Sequence, residues 1–437
     1  MLRWKILIKG FYILLGSILL ALSATGSWAS DIGNGEPAEE EKSVGHYIYW
    51  DDGLRLTAPW LKLQLLWNIK VDGDAGFISA GEALQTAFPD LDGEHLRLRR
   101  ADLALLGHWR DILQFKIQIG LAEVNDIKDN WVRFTGNRLL SHFTFGHMKE
   151  PFSLEKLTSS TYTTFMERSL ATLAISPSRN VGITAAGTAR SDRFTWAAGA
   201  FFNTESFDNQ GEALDRISDA QGYDITGRIT WLPQYENDGG RLFHLGMAYS
   251  HRFRNDSPQD QSAQFRSRPE SYLTDDRLVD TGRLFNRGQD LINFEAAWLN
   301  GPLSLQAEFY YAFVDAAENL GFHGSYISAS YVLTGEHRTY QRAGGIFTGI
   351  IPESEFRPFR GKWGALELAL RLSAVNLNDK NIAGGRERNI TVGLNWYLKR
   401  KLRLMVNYVH ADVKDRANPD IEGSDADILM ARLQFRF

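Results

Sequence analysis

The side chains of this sequence with the strongest chemistry are its cations, and they recur at a spacing that gathers them on one face of extended backbone. Lys62, Lys70, Arg97, Arg99, Lys116, Arg228, Arg371, Arg403, Arg432 and Arg436 each take the polar phase of a stretch in which apolar and polar residues alternate. Period two sends successive side chains to opposite faces of a strand. Asp224, Glu295, Glu308 and Glu367 share the polar phase and are fewer. Such a surplus of guanidinium and ammonium groups attracts and orients anions, and arginine can grip a phosphate or carboxylate bidentately. Catalysis has no comparable foothold. The chain has no cysteine, and it carries no G-x-S-x-G, no H-E-x-x-H and no glycine-rich phosphate loop. Its ten histidines are scattered, and His142 and His147 flank a strand as wall residues. No catalytic residue, metal ligand set or cofactor site is expected.

Two groups of cations depart from simple alternation. Arg99 and Arg100 are adjacent, so both can face the same way only if a β-bulge lies between them. The apolar phase switches there, from Leu96 and Leu98 to Leu103 and Leu105. Pairing with Asp102 or Glu94 would instead hold the two arginines on the wall. The second group, Lys149, Lys156, Arg168 and Arg179, belongs to the run Phe143–Arg179, FTFGHMKEPFSLEKLTSSTYTTFMERSLATLAISPSR. It begins as a strand, but alternation stops after Lys149, and Pro151 has no N–H to donate to a ladder. Clear period two resumes near Asn180. A link of about thirty residues is too long for a hairpin and is usually functional. Residues 150–178 therefore read as a loop folded into a barrel mouth, where it narrows the passage, with one or two helical turns around Thr163, Glu167 and Arg168. Glu150, Glu155 and Glu167 lie close enough in sequence to pair with its cations.

The elements that must position these groups are strands. Leu61, Leu63, Leu65, Trp67, Ile69 and Val71 form one apolar face; Leu113 to Leu121, Phe194 to Phe202 and Tyr223 to Trp231 repeat the device. Ile292 to Trp298, Leu303 to Phe313, Ile327 to Leu333, Leu366 to Leu372, Ile390 to Trp396 and Leu404 to Tyr408 follow. Short links alternate with long polar ones at 72–94, 203–222 and 252–289. A count of sixteen leaves both ends on one side of the barrel, and parity puts the 28 residues from Gly335 to Lys362 on that same short-turn side. There, either the turn is long or the count is wrong by a strand.

The start of the chain sets its route. Arg3, Lys5 and Lys9 precede an apolar run from Phe11 to Ala24, and Ser27-Trp28-Ala29 offers a cleavage site. Residues 1–29 read as a secretory signal peptide, since the apolar run falls short of the roughly 20 residues of a spanning helix. Residues 30–56 read as a flexible acidic segment and 57–437 as a transmembrane barrel. Thirty-nine glycines, twelve tryptophans, fifteen tyrosines and twenty-six phenylalanines suit such a barrel. A formal net charge of -5 argues against a nucleic-acid partner.

The wording FGHMKEPFSLEKLTSS followed by TFMERS resembles the signature of the phosphate-selective porin O/P family. Leu333-Thr334-Gly335-Glu336, the run Trp363 to Ala369 and the run Leu394 to Leu398 are similar to its C-terminal half. The resemblance implies an outer-membrane channel of Gram-negative cells that assembles as a homotrimer. It implies that Arg99 and Arg100 contact the permeating anion and that Lys156 is the family's central loop lysine. The lysine-rich outer vestibule of phosphate-specific members is not evident in this sequence. The final strand, Asp427 to Phe437, is amphipathic and ends on an aromatic residue, like the signal read by the barrel assembly machinery.

The expectation is thus an all-β, antiparallel up-and-down barrel of about 16 strands with a constriction loop at 150–178, set in outer-membrane lipid. It would pass small anions, phosphate or polyphosphate among them, through a pore lined by Arg97, Arg99, Arg100, Lys116, Lys149, Lys156, Arg168, Arg228 and Arg371. A non-selective barrel, or a plugged one with a structural or adhesive role, is the alternative.

Overall fold

The structure, a computed structural model, describes residues 47–437 except 51–52, 123–125, 138, 190–191, 205–219, 257–260 and 417–422. The expected signal peptide and the acidic stretch up to residue 46 lie outside the described residues.

Strand alternation translates directly into architecture. A hairpin, β1 (Tyr47–Trp50) and β2 (Leu54–Ala58), leads into β3 (Leu63–Ala80), the short helix α1 (Glu82–Ala87) and β4 (Gly93–Trp109). The wall continues with β5 (Leu113–Gly120), β6 (Asp126–Thr135) and β7 (His142–Lys149). After the one-turn helices α2 (Leu154–Leu157) and α3 (Leu170–Ile175) come β8 (Arg179–Ala189), β9 (Phe194–Phe202), β10 (Gly222–Glu236) and β11 (Arg241–Arg254). Four two-residue strands follow, β12 (Ser262–Ala263), β13 (Arg266–Ser267), β14 (Val279–Asp280) and β15 (Leu284–Phe285). Then β16 (Gly288–Asn300), β17 (Leu303–Asp315) and β18 (Leu320–Val332) precede a small hairpin, β19 (Arg338–Gln341) and β20 (Ile346–Ile350). The wall ends with β21 (Ala365–Asp379), β22 (Ile382–Lys399), β23 (Leu402–Arg416) and β24 (Ser424–Arg436).

Eighteen strands share one sheet; β1 and β2 belong to the N-terminal hairpin, and the remaining sixteen close on themselves. Closure runs from Ala426 opposite Ala80 to Arg436 opposite Lys70. Every wall strand thereby finds two neighbours, which lipid demands because it offers no hydrogen bond to an open edge. No described helix is long and apolar enough to cross a membrane.

Three expectations need correction, and one left open is decided. The link at 72–94 is mostly strand, because β3 runs to Ala80. Asp72 and Asp74 look like loop residues in sequence, yet they face inward, where Arg100 and Arg432 neutralise them. The supposed flexible segment up to 56 holds strand at Tyr47–Trp50 and from Leu54 onward. Its strand β2 pairs with Leu63–Trp67 of β3, the stretch that β24 leaves bare, and Trp50 meets Phe437 edge to face at 5.7 Å. The link at 252–289 is shorter at both ends and folds into the lumen, with Glu270, Leu273 and Leu278 buried. The link between β18 and β21 is long, as parity indicated, and its β19–β20 hairpin also enters the lumen, burying Phe347.

These inward segments fill one side of the barrel. Phe152, Met166, Leu170 and Ile175 from the 150–178 loop pack with Leu273, Leu278 and Val279 against Tyr310, Phe322, Val375, Val409 and Ile428 of the wall. Leu154 joins Leu232, Leu242, Leu299, Tyr340 and Phe347 in a second cluster. Apolar side chains inside a barrel are favourable only when something covers them, and here the loops do.

Candidate functional site

The 150–178 loop leaves β7 at Glu150 and turns at Ser153, whose φ is 69°. The Ser153 hydroxyl accepts from the Lys156 amide at 3.0 Å, capping α2. The amides of Leu154 and Glu155 donate to the two oxygens of Glu308, at 3.1 and 2.7 Å, so a wall carboxylate sits on the positive end of this turn. Thr163 to Arg168, read from sequence as helical, is not; the second helix is Leu170–Ile175.

The loop's acids all turn toward the wall. Glu150 meets Arg252 at 2.8 Å, and Glu155 meets Arg371 at 3.2 Å. Glu167 receives Arg99 at 3.0 Å, Arg432 at 2.5 Å and Arg100 at 3.5 Å. Burial alone would raise the Glu167 carboxyl, but Arg99, Arg100 and Arg432 outweigh it and hold it well below the ordinary carboxylate range. Arg432 also grips Asp74 through two nitrogens, both at 2.6 Å. Arg371 bonds Glu270 of the 255–287 loop at 2.6 Å, tying the two inward loops to one guanidinium.

Arg99 and Arg100 are arranged as the phase switch predicted. Asp72 faces Arg100 and Gly73 faces Leu98, so Arg99 is the extra residue of a bulge. Both point inward. Their partners are Glu167 and Asp72, and Asp102 is taken up by Lys128. Tyr272, delivered by the 255–287 loop, stacks under the Arg99 guanidinium at 3.6 Å.

Beside the loop lies a cavity of about 930 Å³, lined by β3 to β9, the 150–178 loop and the tip of the β19–β20 hairpin. Twelve basic side chains line it against three acidic ones, Asp102, Asp126 and Asp129. Among the predicted residues, Arg99, Arg100, Lys116, Lys149, Lys156, Arg168 and Arg228 are brought together there. Lys116 pairs with Asp129 at 2.6 Å, and Asp129 also takes Arg179. Lys149 and Arg168 are held differently. The Lys149 ammonium donates to the carbonyls of Lys156 at 2.6 Å and Leu157 at 3.3 Å; the Arg168 guanidinium donates to those of Glu155, Lys156 and Thr158. Carbonyl dipoles fix both cations without cancelling their charge, and no carboxylate among the described residues lies within ion-pair distance of either. Burial pulls the Arg168 guanidinium down from its usual value, opposed by Glu155, though an arginine remains cationic at neutral pH.

Two predicted residues lie elsewhere, and a third is locked in place. Arg371 is only 1% exposed and is absent from the cavity wall, because the loops cover it. Arg97 points inward but is drawn to Asp275 at 3.0 Å and to the Tyr272 carbonyl at 3.1 Å. Arg228 lines the cavity but is clamped by Glu295 at 2.7 Å and by the carbonyls of Gly344 and Gly345. Lys62, counted with the inward cations, sits exposed in the turn before β3. Sequence reading missed Lys128, Trp131 and Arg133 on β6 and Tyr272 in the loop. For β6 the signal was present, since Val132 and Phe134 mark the outward phase; for Tyr272 no periodicity existed to read.

Comparison with known proteins agrees with this architecture. The family model for phosphate-selective porin O and P matches residues 85–437. Porin O of Pseudomonas aeruginosa is 24% identical over 401 residues, covering 82% of this chain and 87% of that protein. An uncharacterized protein of Caulobacter vibrioides is 27% identical over 381 residues, 85% of this chain and 73% of that one. Among solved structures, Pseudomonas putida OprB superposes with a TM-score of 0.54 at 12% identity, covering 85% of this chain and 94% of that chain. An anion-selective porin from Comamonas acidovorans gives 0.51 at 13%, covering 86% and 100%. With the closed sixteen-stranded wall, the inward loop and a family match across most of its length, the chain belongs to the phosphate-selective porin O and P family of outer-membrane channels.

Proposed function

We propose that the channel passes small anions passively and in preference to cations, with phosphate or polyphosphate among the permeants. The observation that carries this is the surplus of cations around the cavity, above all Lys149 and Arg168, whose charge is met by carbonyls alone. In a narrow, poorly hydrated passage such a charge acts through a low effective dielectric and is felt strongly by a passing ion. Arg99, Arg100 and Lys116 keep partial partners and extend the positive potential along the wall, which attracts anions and repels cations. One chemical parallel is the anion-selective porin from Comamonas acidovorans, which shares the fold. Export by a cleaved signal peptide at 1–29, insertion by the barrel assembly machinery and assembly into homotrimers complete the reading; a related Vibrio cholerae porin was solved in a trimer form.

Planar-bilayer recording of the purified protein in a potassium chloride gradient tests it. The reversal potential should take the sign set by chloride, and added phosphate should carry or block current. A potassium-selective reversal would overturn the reading. A plugged structural barrel is the second reading, favoured by the packed core that occupies one side of the lumen; it predicts no single-channel steps at all.

A further inference from the structure

One part of the cavity does not suit bare inorganic anions. On β6, Trp131 and Arg133 face the lumen, because Val132 and Phe134 take the lipid phase and are 39% and 44% exposed. An indole at a lumen position is unexpected where the interior is ordinarily polar. The Arg133 guanidinium lies over it, 4.5 Å from the ring centroid, and its Nε donates to the Thr144 hydroxyl at 3.0 Å. Its two Nη groups have no hydrogen-bond partner, and no carboxylate lies within ion-pair distance, among the described residues. A guanidinium laid flat on an aromatic ring still presents its N–H edge to an incoming carboxylate.

The neighbouring wall carries mostly small side chains. Opposite Trp131 on β7 stands Gly146, whose missing Cβ lets the β6 backbone at Asn130 and Trp131 pack close against it. Beyond it the cavity floor is made by Thr184, Ala186 and Ala197. Ala343 and Ile346, at the tip of the inner hairpin, border the same cavity. A flat apolar surface, a shelf of small residues and an unpaired guanidinium edge thus border the same cavity.

We propose that this slot binds anions carrying a planar apolar body, aromatic carboxylates by class, with the ring against Trp131 and the carboxylate on Arg133. The proposal rests on the anion-channel reading and adds a substrate class to it. Phosphate needs only the cations; an aromatic carboxylate would also use the indole and the shelf, surfaces that otherwise stay wet and apolar.

The test is current block in planar bilayers by the purified full-length protein, with benzoate or acetate added to one side in potassium chloride. Benzoate should block at a concentration roughly two- to ten-fold lower than acetate, the range expected for one aromatic contact. Trp131→Ala should bring the two half-block concentrations together, and Arg133→Gln should weaken block by both. Should Trp131→Ala fail to give a heat-modifiable folded barrel, Trp131→Leu keeps an apolar filler, lacks the flat face and should lose the same preference. Equal block by benzoate and acetate in the unaltered protein, or a preference that survives loss of the indole, would overturn the slot. A potassium-selective reversal potential measured without benzoate defeats the anion-channel reading itself, so the two failures are distinguishable.

Discussion

Arg371 and Lys149 both point into the barrel, yet they do different work. Arg371 is buried beneath two loops and bridges Glu155 and Glu270; Lys149 stands at the cavity with only carbonyls around it. The contrast holds for the two sides of the lumen as a whole. Along β10 to β24, inward cations meet acids in close pairs, Arg228 with Glu295, Arg252 with Glu150, and Arg432 with Asp74 and Glu167. Along β5 to β9, where strands of 8 to 11 residues make a lower wall, the cations border open space. One side uses charge to anchor loops; on the other Lys116, Lys128 and Arg179 share three aspartates, while Lys149 and Arg133 have no carboxylate within ion-pair distance among the described residues. A count of inward basic residues mixes the two classes, although only one can act on a permeant.

The largest test of that division is removal of residues 150–178. From sequence such a loop reads as a detachable constriction, since β7 and β8 could pair across a shorter link. The structure argues otherwise, because deletion strips Arg371 and Arg432 of Glu155 and Glu167 and uncovers the core around Tyr310 and Phe322. Arg371 keeps Glu270 and Arg432 keeps Asp74, so the loss at each stays below the roughly 3 to 5 kcal/mol of a buried charge stripped of its partner, and the uncovered core adds to it. The deletion protein should fail to give a heat-modifiable barrel; a fully stable, wide channel would break the comparison.

Arg432→Ala is the single-residue version, leaving Asp74 and Glu167 buried with weakened neutralisation. A loss of about 3 to 5 kcal/mol is expected, read as a lower thermal transition in detergent. On the cavity side the signs reverse. Lys149→Gln combined with Arg168→Gln should shift stability little, because glutamine can still donate to the carbonyls of α2, while the reversal potential should move toward the cation side. If the double variant lost stability and kept its selectivity, the division would be drawn in the wrong place.

A smaller effect is expected at Arg436. Near the rim, solvent screening would make it negligible, yet its guanidinium lies 5.0 Å over the Tyr162 ring and lines the cavity. Arg436→Gln should lower anion preference slightly, and less than the Lys149 and Arg168 pair of changes. Acid should do least. The Glu167 carboxyl is held well below its ordinary value, so its contribution is complete above the unfolded value of about 4.3 and disappears only as pH falls through the lower folded value. The clasp of Glu167 on Arg99, Arg100 and Arg432 should therefore be as firm at pH 5 as at pH 7, read as equal protease protection of the 150–178 loop. A loop released at pH 5 would mean that Glu167 is not the anchor.

Much of this was legible before any coordinates. Period two marks the first half of β3, β5, β8 to β10, β16 to β18 and β21 to β24, and the phase change around Arg99 announces its bulge, because a lipid-facing position tolerates only apolar side chains and a slip of one residue is visible at once. The proline and the broken alternation after Lys149 marked the inward loop. Asp72 and Asp74 hid the second half of β3 because an inward acid paired with an arginine has the same letters as a polar loop. For the 255–287 loop and the β19–β20 hairpin the sequence indicates only long links, since irregular backbone carries no period from which a direction could be read.

The sequence by itself determined orientation: which residues of the alternating stretches face lipid and which face the lumen, and where the chain leaves the wall. Alternation suffices for this because it is a local rule enforced by the bilayer. Tertiary structure alone decided partnership. Whether an inward arginine pairs with a loop glutamate a hundred residues away, as Arg252 does with Glu150, or lies over an indole two residues away with its outer edge open, as Arg133 does, depends on which segments fold back into the lumen. Coulomb and hydrogen-bond partners are chosen by distance in space, and no spacing along the chain encodes that distance.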